Sequence, residues 1–338
     1  MKTKIAEKAF FSKKIVGQDH ILQYLRSTLK QKRLASAYLF HGPNAVGKRS
    51  TAQRFLATIL CLSPTPDAPC GHCESCIRWG KSAHPDAVIV DSKELTSLGI
   101  DEVRELQRKL SFRPTVSTHR VALLGNADLF TLEAANALLK TLEEPPLNTV
   151  IILCATMLST LPLTLRSRCQ QLNFRLVRQP LIYDLLREQT DSAELALNLS
   201  HLAFGRPGIA LALLEHPQEF AQYRERVTTL IDLLGAPLSK RLQEGSRLIP
   251  HSRGADARQE LLPLIDLWLW IVRDAVLIRE RNEEHIVHRF LLDSLRDLSQ
   301  RFSTRHFLHS MRLLDDAKHL LRQNVNPQLA FEHCLLSL

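Results

Sequence analysis

Between Tyr38 and Thr51 an apolar run, Tyr38-Leu39-Phe40, leads into Gly42-Pro43-Asn44-Ala45-Val46-Gly47-Lys48-Arg49-Ser50. Two glycines at this spacing let backbone N–H groups curl around a phosphate, and a lysine directly after the second reaches the outer phosphate oxygens. A loop of this kind must leave a buried strand and open a helix, whose N-terminus adds a favourable field for an anion. Gly42, Asn44, Gly47, Lys48 and Ser50 are therefore the candidate nucleotide contacts. The alternative is a glycine-bearing strand-to-helix turn with an incidental lysine. The motif carries one fault. The residue after the lysine should be Ser or Thr, whose hydroxyl holds magnesium, yet Arg49 stands there. Ser50 comes one residue late, which turns its side chain by about 100° around the helix.

The rest of the first half supplies the elements such a loop needs. Ile21, Leu22, Leu25 and Leu29 predict an amphipathic helix before the strand, and Phe55, Leu56, Ile59 and Leu60 predict one after it. Ala87–Val90, Val121–Leu124 and Thr149–Leu153 read as buried strands. Helices are expected around Val103, Leu106 and Leu110, behind Asp101-Glu102, and from Leu132 to Leu142, where Pro145-Pro146 stops the pattern. Strands alternating with helices predict a parallel α/β sheet. In a working phosphate-loop ATPase the strand Val121–Leu124 should end in a magnesium-binding Asp and often a Glu. Gly125 and Asn126 occupy those places. Asp128 lies beyond the strand end and is expected to cap the following helix.

Past Phe174 helical periodicity runs to the C-terminus, so an α/β half is followed by an all-α half. The expected domains are 1–177, 178–216 and 217–338. The last helix starts at Asn326-Pro327, an N-cap followed by proline. The most apolar window, Leu261 to Ile278, contains Pro263, Asp266, Arg273 and Asp274 and predicts a buried helix rather than a membrane span. The lysine-rich start (Lys2, Lys4, Lys8, Lys13, Lys14) is followed by no long apolar stretch, so a cytoplasmic protein is expected.

Seven cysteines in such a compartment argue for metal or thiol chemistry over disulfides. Cys61, Cys70, Cys73 and Cys76 stand at C-x8-C-x2-C-x2-C in a segment (61–76) with too few apolar residues for a core of its own. Four thiolates on a short knuckle predict a closed, structural zinc site. His72 or His84 as a replacement ligand, a redox pair or an oxidised cysteine pair are the alternatives. The net charge of +9 favours polyanionic neighbours such as nucleic acid. A zinc-knuckle DNA-binding protein is thus a further reading, although Arg78, Trp79 and Lys81 are the knuckle's only basic and aromatic neighbours.

Ile15-Val16-Gly17-Gln18, Leu39-Phe40-His41-Gly42-Pro43, Cys70-Gly71-His72-Cys73-Glu74-Ser75-Cys76, the run from Asn136 through Glu143-Glu144 to Pro146, and Ser167-Arg168-Cys169 together resemble the AAA+ subunits of the bacterial DNA polymerase III clamp loader. The resemblance is dense over 15–176. It implies an AAA+ phosphate-loop domain with a zinc knuckle, a small helical lid and a helical collar domain. The family contains motor subunits (gamma/tau) that hydrolyse ATP, and delta-prime subunits whose own site is degraded and which donate the arginine of the Ser-Arg-Cys triplet to a neighbour. Arg49, Gly125 and Asn126 match the degraded pattern, as does Gly208 of Gly205-Arg206-Pro207-Gly208, where motor subunits present a lid arginine; Arg206 stands two residues away. Trp270-Ile271-Val272-Arg273-Asp274 and the ending from Asn324 to Leu338 are similar to the collar of the delta-prime branch.

The resemblance makes Arg168 a trans arginine finger, with Arg166 nearby, and gives Thr156 the polar sensor position. It implies no ATPase activity of the chain itself, weak or no ATP/ADP binding, and gamma/tau and delta subunits, the sliding clamp and primer-template DNA as partners, with no membrane. An active gamma/tau-like ATPase using Ser50 and Asp128 as displaced metal ligands is the alternative. Arg104, Arg108 and Lys109 are candidates for DNA contact, with a solvated helix face as the simpler expectation.

Overall fold

The structure, a computed structural model, describes residues 14–65, 68–90, 97–248, 254–323 and 325–337. Lys2, Lys4, Lys8 and Lys13 of the basic start, with Asn324 and Leu338, lie outside the described residues. The chain forms two compact units, one running to Leu185 and taking in Gly205–Ile209, the other made of Leu186–Phe204 and Ala210–Leu338.

The first unit is an α/β sheet. Its strands are β1 (Ala37–His41), β2 (Ala87–Val90), β3 (Arg120–Leu124), β4 (Thr149–Ala155) and β5 (Gln170–Asn173), all parallel in the order β2-β3-β4-β1-β5. Helices α1 (Asp19–Lys30), α2 (Lys48–Leu60), α3 (Glu74–Gly80), α4 (Ile100–Leu110), α5 (Leu132–Glu143) and the single turn α6 (Leu163–Arg166) connect them. Because successive strand side chains point to opposite faces, each strand feeds two cores. Tyr38, Phe40, Val121, Leu123, Val150 and Ile152 pack with Ile21, Leu25, Phe55 and Leu56 of α1 and α2. Leu39, Ala122, Leu124, Ile151 and Leu153 pack with Val103, Leu106, Leu138 and Leu142 of α4 and α5. Covering both faces explains why the central strands read as continuous apolar runs.

The sequence reading missed β5. Of its four residues only Leu172 is buried, and as an edge strand beside β1 it needs little apolar surface. Its register, Tyr38 opposite Gln170 and His41 opposite Asn173, places β1 between β4 and β5. The phosphate-loop turn therefore leaves the carboxyl end of the sheet at the point where strand order reverses, the usual ligand position in open α/β sheets.

Residues 178–216 carry α7 (Gln179–Arg187), α8 (Ala193–Leu202) and α9 (Pro207–Glu215), which are divided between the two units. The second unit continues through α10 (Pro217–Leu234), α11 (Leu238–Gly245), α12 (Ala255–Arg279), α13 (Leu292–Arg301), α14 (Thr304–Arg322) and α15 (Pro327–Ser337). Its core surrounds α12, where Leu261, Ile265, Trp268, Ile271, Val272 and Ala275 are fully buried. The Trp268 indole donates to the Leu230 carbonyl at 3.1 Å, and Lys318 pairs with Asp266. Among the described residues no helix is long and apolar enough to cross a membrane. Asn326 caps α15 through Oδ1, which accepts from Gln328 N at 3.0 Å.

One buried carboxylate organises this unit and was not foreseen. Asp274 Oδ2 accepts from Val287 N, His288 N and His288 Nδ1 at 2.8 to 3.1 Å, while His288 Nε2 and the Tyr223 hydroxyl stand 2.9 Å apart. A fully buried charge is tolerable only with such a set of donors.

Candidate functional site: a phosphate loop and a distant arginine

The phosphate loop is shaped by three left-handed residues, Gly42 (φ 136°), Ala45 (φ 61°) and Gly47 (φ 101°). At Gly42 a Cβ would fall 2.1 Å from the Phe174 carbonyl oxygen, so glycine is required there by space as well as by φ. Gly47 is the N-cap of α2. Lys48 is 8% exposed, and its ammonium donates to the carbonyls of Gly42 and, at 2.7 Å, of Pro43. Burial lowers its pKa, with Cys154 and Asp128 acting in the opposite direction, and burial beside Lys48 also lowers that of His41. Asn44 is exposed on the loop. Arg49 and Ser50 lie on the exposed side of α2, whereas Thr51 is buried and donates to Gly47 O at 2.8 Å. Gly208 comes onto the same loop: its N–H donates to Ala45 O at 2.9 Å, and a Cβ at Gly208 would stand 3.0 Å from that oxygen. The sidechain of Arg206 is exposed.

Gln18, fully buried, anchors the strip before α1 to the chain after β5. Its Nε2 donates to Arg175 O at 2.7 Å and its Oε1 accepts from Arg175 N at 3.3 Å. Gly17 (φ 71°) allows the close approach of Val177.

Asp128 departs from the expected role. The cap of α5 is Thr131, which accepts from Ala134 N at 3.1 Å. Asp128 instead holds the end of β4. Its Oδ2 accepts from Thr156 N at 2.6 Å and Thr156 Oγ1 at 2.7 Å, and its Oδ1 from Thr160 Oγ1 at 2.8 Å and Met157 N at 3.4 Å. Sequence reasoning missed this because the partners follow a different strand. Thr156 is thereby tied to the Asp128 carboxylate through both its N–H and its hydroxyl.

Arg168 lies at the other end of the sheet, two residues before β5 begins beside Tyr38. It is 35% exposed, and Nη2 pairs with Glu143 Oε1 at 2.6 Å while Nη1 donates to Thr164 O at 2.9 Å. The basic residues considered for DNA contact are engaged locally: Arg108 and Lys109 pair with Glu105 at 2.8 and 3.3 Å, and Arg104 is 3.8 Å from Asp101.

The four knuckle cysteines converge. All four sulfurs lie within 4.8 Å of one another, with Cys61–Cys73 and Cys70–Cys76 each at 3.9 Å. Zn–S bonds of about 2.3 Å in a tetrahedron give S···S separations of about 3.8 Å, so the set fits structural zinc and is far from S–S bonding distance. Backbone N–H groups of Cys70, Cys73 and Cys76 point at Cys61, Cys70 and Cys73 Sγ at 3.3 to 3.4 Å. Burial raises the Cys76 and Cys61 thiols; at Cys70 burial is outweighed by hydrogen bonds from His72 and Cys73, bringing it down to about 6.

The two candidate histidines are used elsewhere. His72 Nδ1 meets Cys70 O at 2.9 Å. His84 Nδ1 accepts from Asp86 N at 3.1 Å, which leaves Nε2–H to donate to Ser75 Oγ at 2.9 Å. Asp86, fully buried, accepts from Thr115 N, Thr115 Oγ1, Val116 N and Ser117 N at 2.7 to 2.9 Å and fastens the segment before β3. Of the knuckle's basic and aromatic residues, Trp79 is buried in the core and Arg78 pairs with Glu74 at 2.6 Å, which leaves little of a DNA-reading surface there.

Known proteins resemble this chain in sequence along most of its length. A sequence model of the family described as "DNA polymerase III, delta subunit" matches residues 17–178. The delta' subunit of DNA polymerase III from Bacillus subtilis (strain 168) is 28% identical over 336 residues, covering 95% of this chain and 96% of that protein. The tau subunit of the same organism is 27% identical over 336 residues, covering 94% of this chain. The chain spans 59% of the length of that tau relative. A gamma subunit-related protein of Thermotoga maritima aligns in structure at 18% identity and a TM-score of 0.46, over 94% of this chain and 97% of that one. In its matched residues 17–178, and more thinly along the rest of its length, the chain is similar to clamp-loader subunits of DNA polymerase III.

Proposed function

We propose that this chain is a delta-prime-type clamp-loader subunit: it does not hydrolyse ATP, supplies Arg168 in trans to the nucleotide of a neighbouring gamma/tau motor subunit, and helps load the sliding clamp onto primed DNA. The observation that carries the reading is the commitment of Asp128. A phosphate-loop ATPase needs an available carboxylate for magnesium at the end of its second motif strand. Gly125 and Asn126 offer none, and the Asp128 oxygens already accept from Thr156, Met157 and Thr160. Ser50, the other displaced ligand of the motor reading, lies on the exposed side of α2.

Gly42, Asn44, Gly47, Lys48 and Ser50 then bind ATP or ADP weakly or not at all. Cys61, Cys70, Cys73 and Cys76 would hold a structural zinc that keeps the knuckle folded. Residues 178–216 act as the lid and 217–338 as the collar that joins the ring with the motor and delta subunits, in the cytoplasm. An arginine given in trans neutralises charge developing on the phosphoryl oxygens and is worth roughly 10³ to 10⁵ in rate. Lysine cannot replace it, being a point charge without the planar fork.

The test is steady-state ATP hydrolysis by the purified chain alone, and by the chain added to motor subunits, delta, clamp and primed DNA. The chain is expected to be silent alone and to stimulate the assembly, and Arg168→Ala or Arg168→Lys to remove the stimulation. Turnover by the isolated chain that Lys48→Ala abolishes overturns the proposal in favour of the motor reading.

A further inference from the structure

The ion pair between Glu143 and Arg168 joins two elements distant in sequence. Glu143 is the last residue of α5, and Arg168 follows directly on the C-cap of α6. The Nη2–Oε1 distance is 2.6 Å, and the opposite terminal nitrogen is held by Thr164 O at 2.9 Å, with Ser167 Oγ farther off at 3.5 Å. A guanidinium has five N–H donors in a fixed plane. Three acceptors shared between the two terminal nitrogens therefore set the plane of the fork without using up its five donors.

The placement of Glu143 is not explained by its own helix. The last turn of a helix carries the negative end of the dipole and favours cations, yet α5 closes on Glu143 and Glu144 before Pro145-Pro146. A carboxylate there is unfavourable locally and gains its reason from the guanidinium opposite. Both side chains remain partly in water, Glu143 at 49% and Arg168 at 35% exposed, so the pair is reachable from outside the chain.

We propose that Glu143 is the positioning residue of Arg168: its carboxylate orients the guanidinium in the free subunit so that the fork already faces a neighbour's phosphate when the ring closes. This rests on the reading of Arg168 as a trans finger. Arginine has many rotamers, and a finger that must find its plane anew at each encounter loses rate even though its charge is unchanged. An exposed pair of this kind is modest in strength, so the effect is on orientation and is limited in size.

The experiment uses the complete loader with clamp and primed DNA. Glu143→Gln, which keeps the shape and removes the charge, is expected to lower kcat for ATP about two- to fivefold, with KM for ATP unchanged because the neighbour's own loop binds the nucleotide. Glu143→Asp is expected to fall between wild type and Glu143→Gln. In an Arg168→Ala background, Glu143→Gln is expected to cause no further loss, the signature of two residues acting through one contact.

An unchanged or raised kcat in Glu143→Gln overturns the inference while a large Arg168→Ala effect leaves the finger reading intact. An equal loss with and without Arg168 also overturns it, because Glu143 then acts elsewhere. If Arg168→Ala itself has no effect, the finger reading fails and this inference with it. Thermal unfolding of Glu143→Gln separates these outcomes from simple misfolding.

Discussion

Lys48 and Arg168 belong to opposite ends of one parallel sheet. The phosphate loop follows His41 at the carboxyl end of β1, whereas Arg168 precedes Gln170, which pairs with Tyr38 near the amino end of the same strand. At about 3.3 Å per residue in a parallel strand, the paired segment alone separates them by roughly 10 Å along the sheet. The arginine thus stands at the far end of the sheet from the chain's own loop, and its side chain is partly exposed. This relationship supports a finger offered in trans and makes the fate of the two sites separable by mutation.

Asp128→Ala should weaken the fold without changing the assembly's chemistry. The substitution strips acceptors from Thr156 N, Thr156 Oγ1 and Thr160 Oγ1. The Thr156 donors are only partly buried and Thr160 Oγ1 keeps Met157 O at 2.8 Å, so the loss is that of ordinary hydrogen bonds, about 0.5–1.5 kcal/mol each. Urea unfolding is expected to shift to lower midpoint, while ATP hydrolysis by the assembled loader, at a temperature where the variant is folded, stays within about twofold of wild type, a factor of about 0.4 kcal/mol. A collapse of hydrolysis with unchanged stability would mark Asp128 as a metal ligand instead.

Metal analysis of the purified chain is expected to find zinc in a one-to-one ratio, removed by strong chelators and absent in Cys76→Ser. The knuckle has too few apolar residues for a core of its own, so a bound zinc would supply its folding energy. Chelation should lower the melting temperature and expose the thiols to alkylation. A chain that holds no zinc as purified, takes up none when zinc is added and melts identically with and without chelator would rule this out.

Stability should fall as pH drops below neutrality. His84 is held neutral, since Nδ1 must accept from Asp86 N. Burial lowers its pKa, with Asp86 opposing and Arg78 adding to the shift. The unfolded chain therefore takes up the proton first, near the ordinary value of about 6.5. The contribution is whole above that pH, declines below it, and levels off once the lowered folded value is passed. Unfolding midpoints between pH 7.5 and 5.5, with bound zinc followed in parallel, test this. His84→Gln should reduce the slope; His41, His119, His201 and His306 are shifted in the same direction by burial and keep part of it. A slope unaltered by His84→Gln would exclude His84 as a contributor.

Several features could be read from the chain alone because they are local. Glycine's access to positive φ marks Gly42 and Gly47, alternation of apolar runs marks β1 to β4, and an Asn-Pro pair opens α15 where expected. Cysteine spacing brought Cys61, Cys70, Cys73 and Cys76 together before any coordinates did. The absence of a hydroxyl at 49 and of a carboxylate at 125 and 126 is likewise a property of composition at fixed positions.

Tertiary structure decided the rest, and the reason is that polar partners are chosen by proximity across elements rather than by any period along one. Asp128 faces Thr156 and not its own following helix. Asp86 and Asp274 gather donors from segments with no sequence signal, and β5 forms because β1 offers an open edge that four mostly polar residues can pair with. The same holds for Glu143 and Arg168. Each lies in a short motif visible in the sequence, but only the packing of α5 against the turn before β5 brings carboxylate and guanidinium within 2.6 Å, where charge and geometry together make an oriented fork.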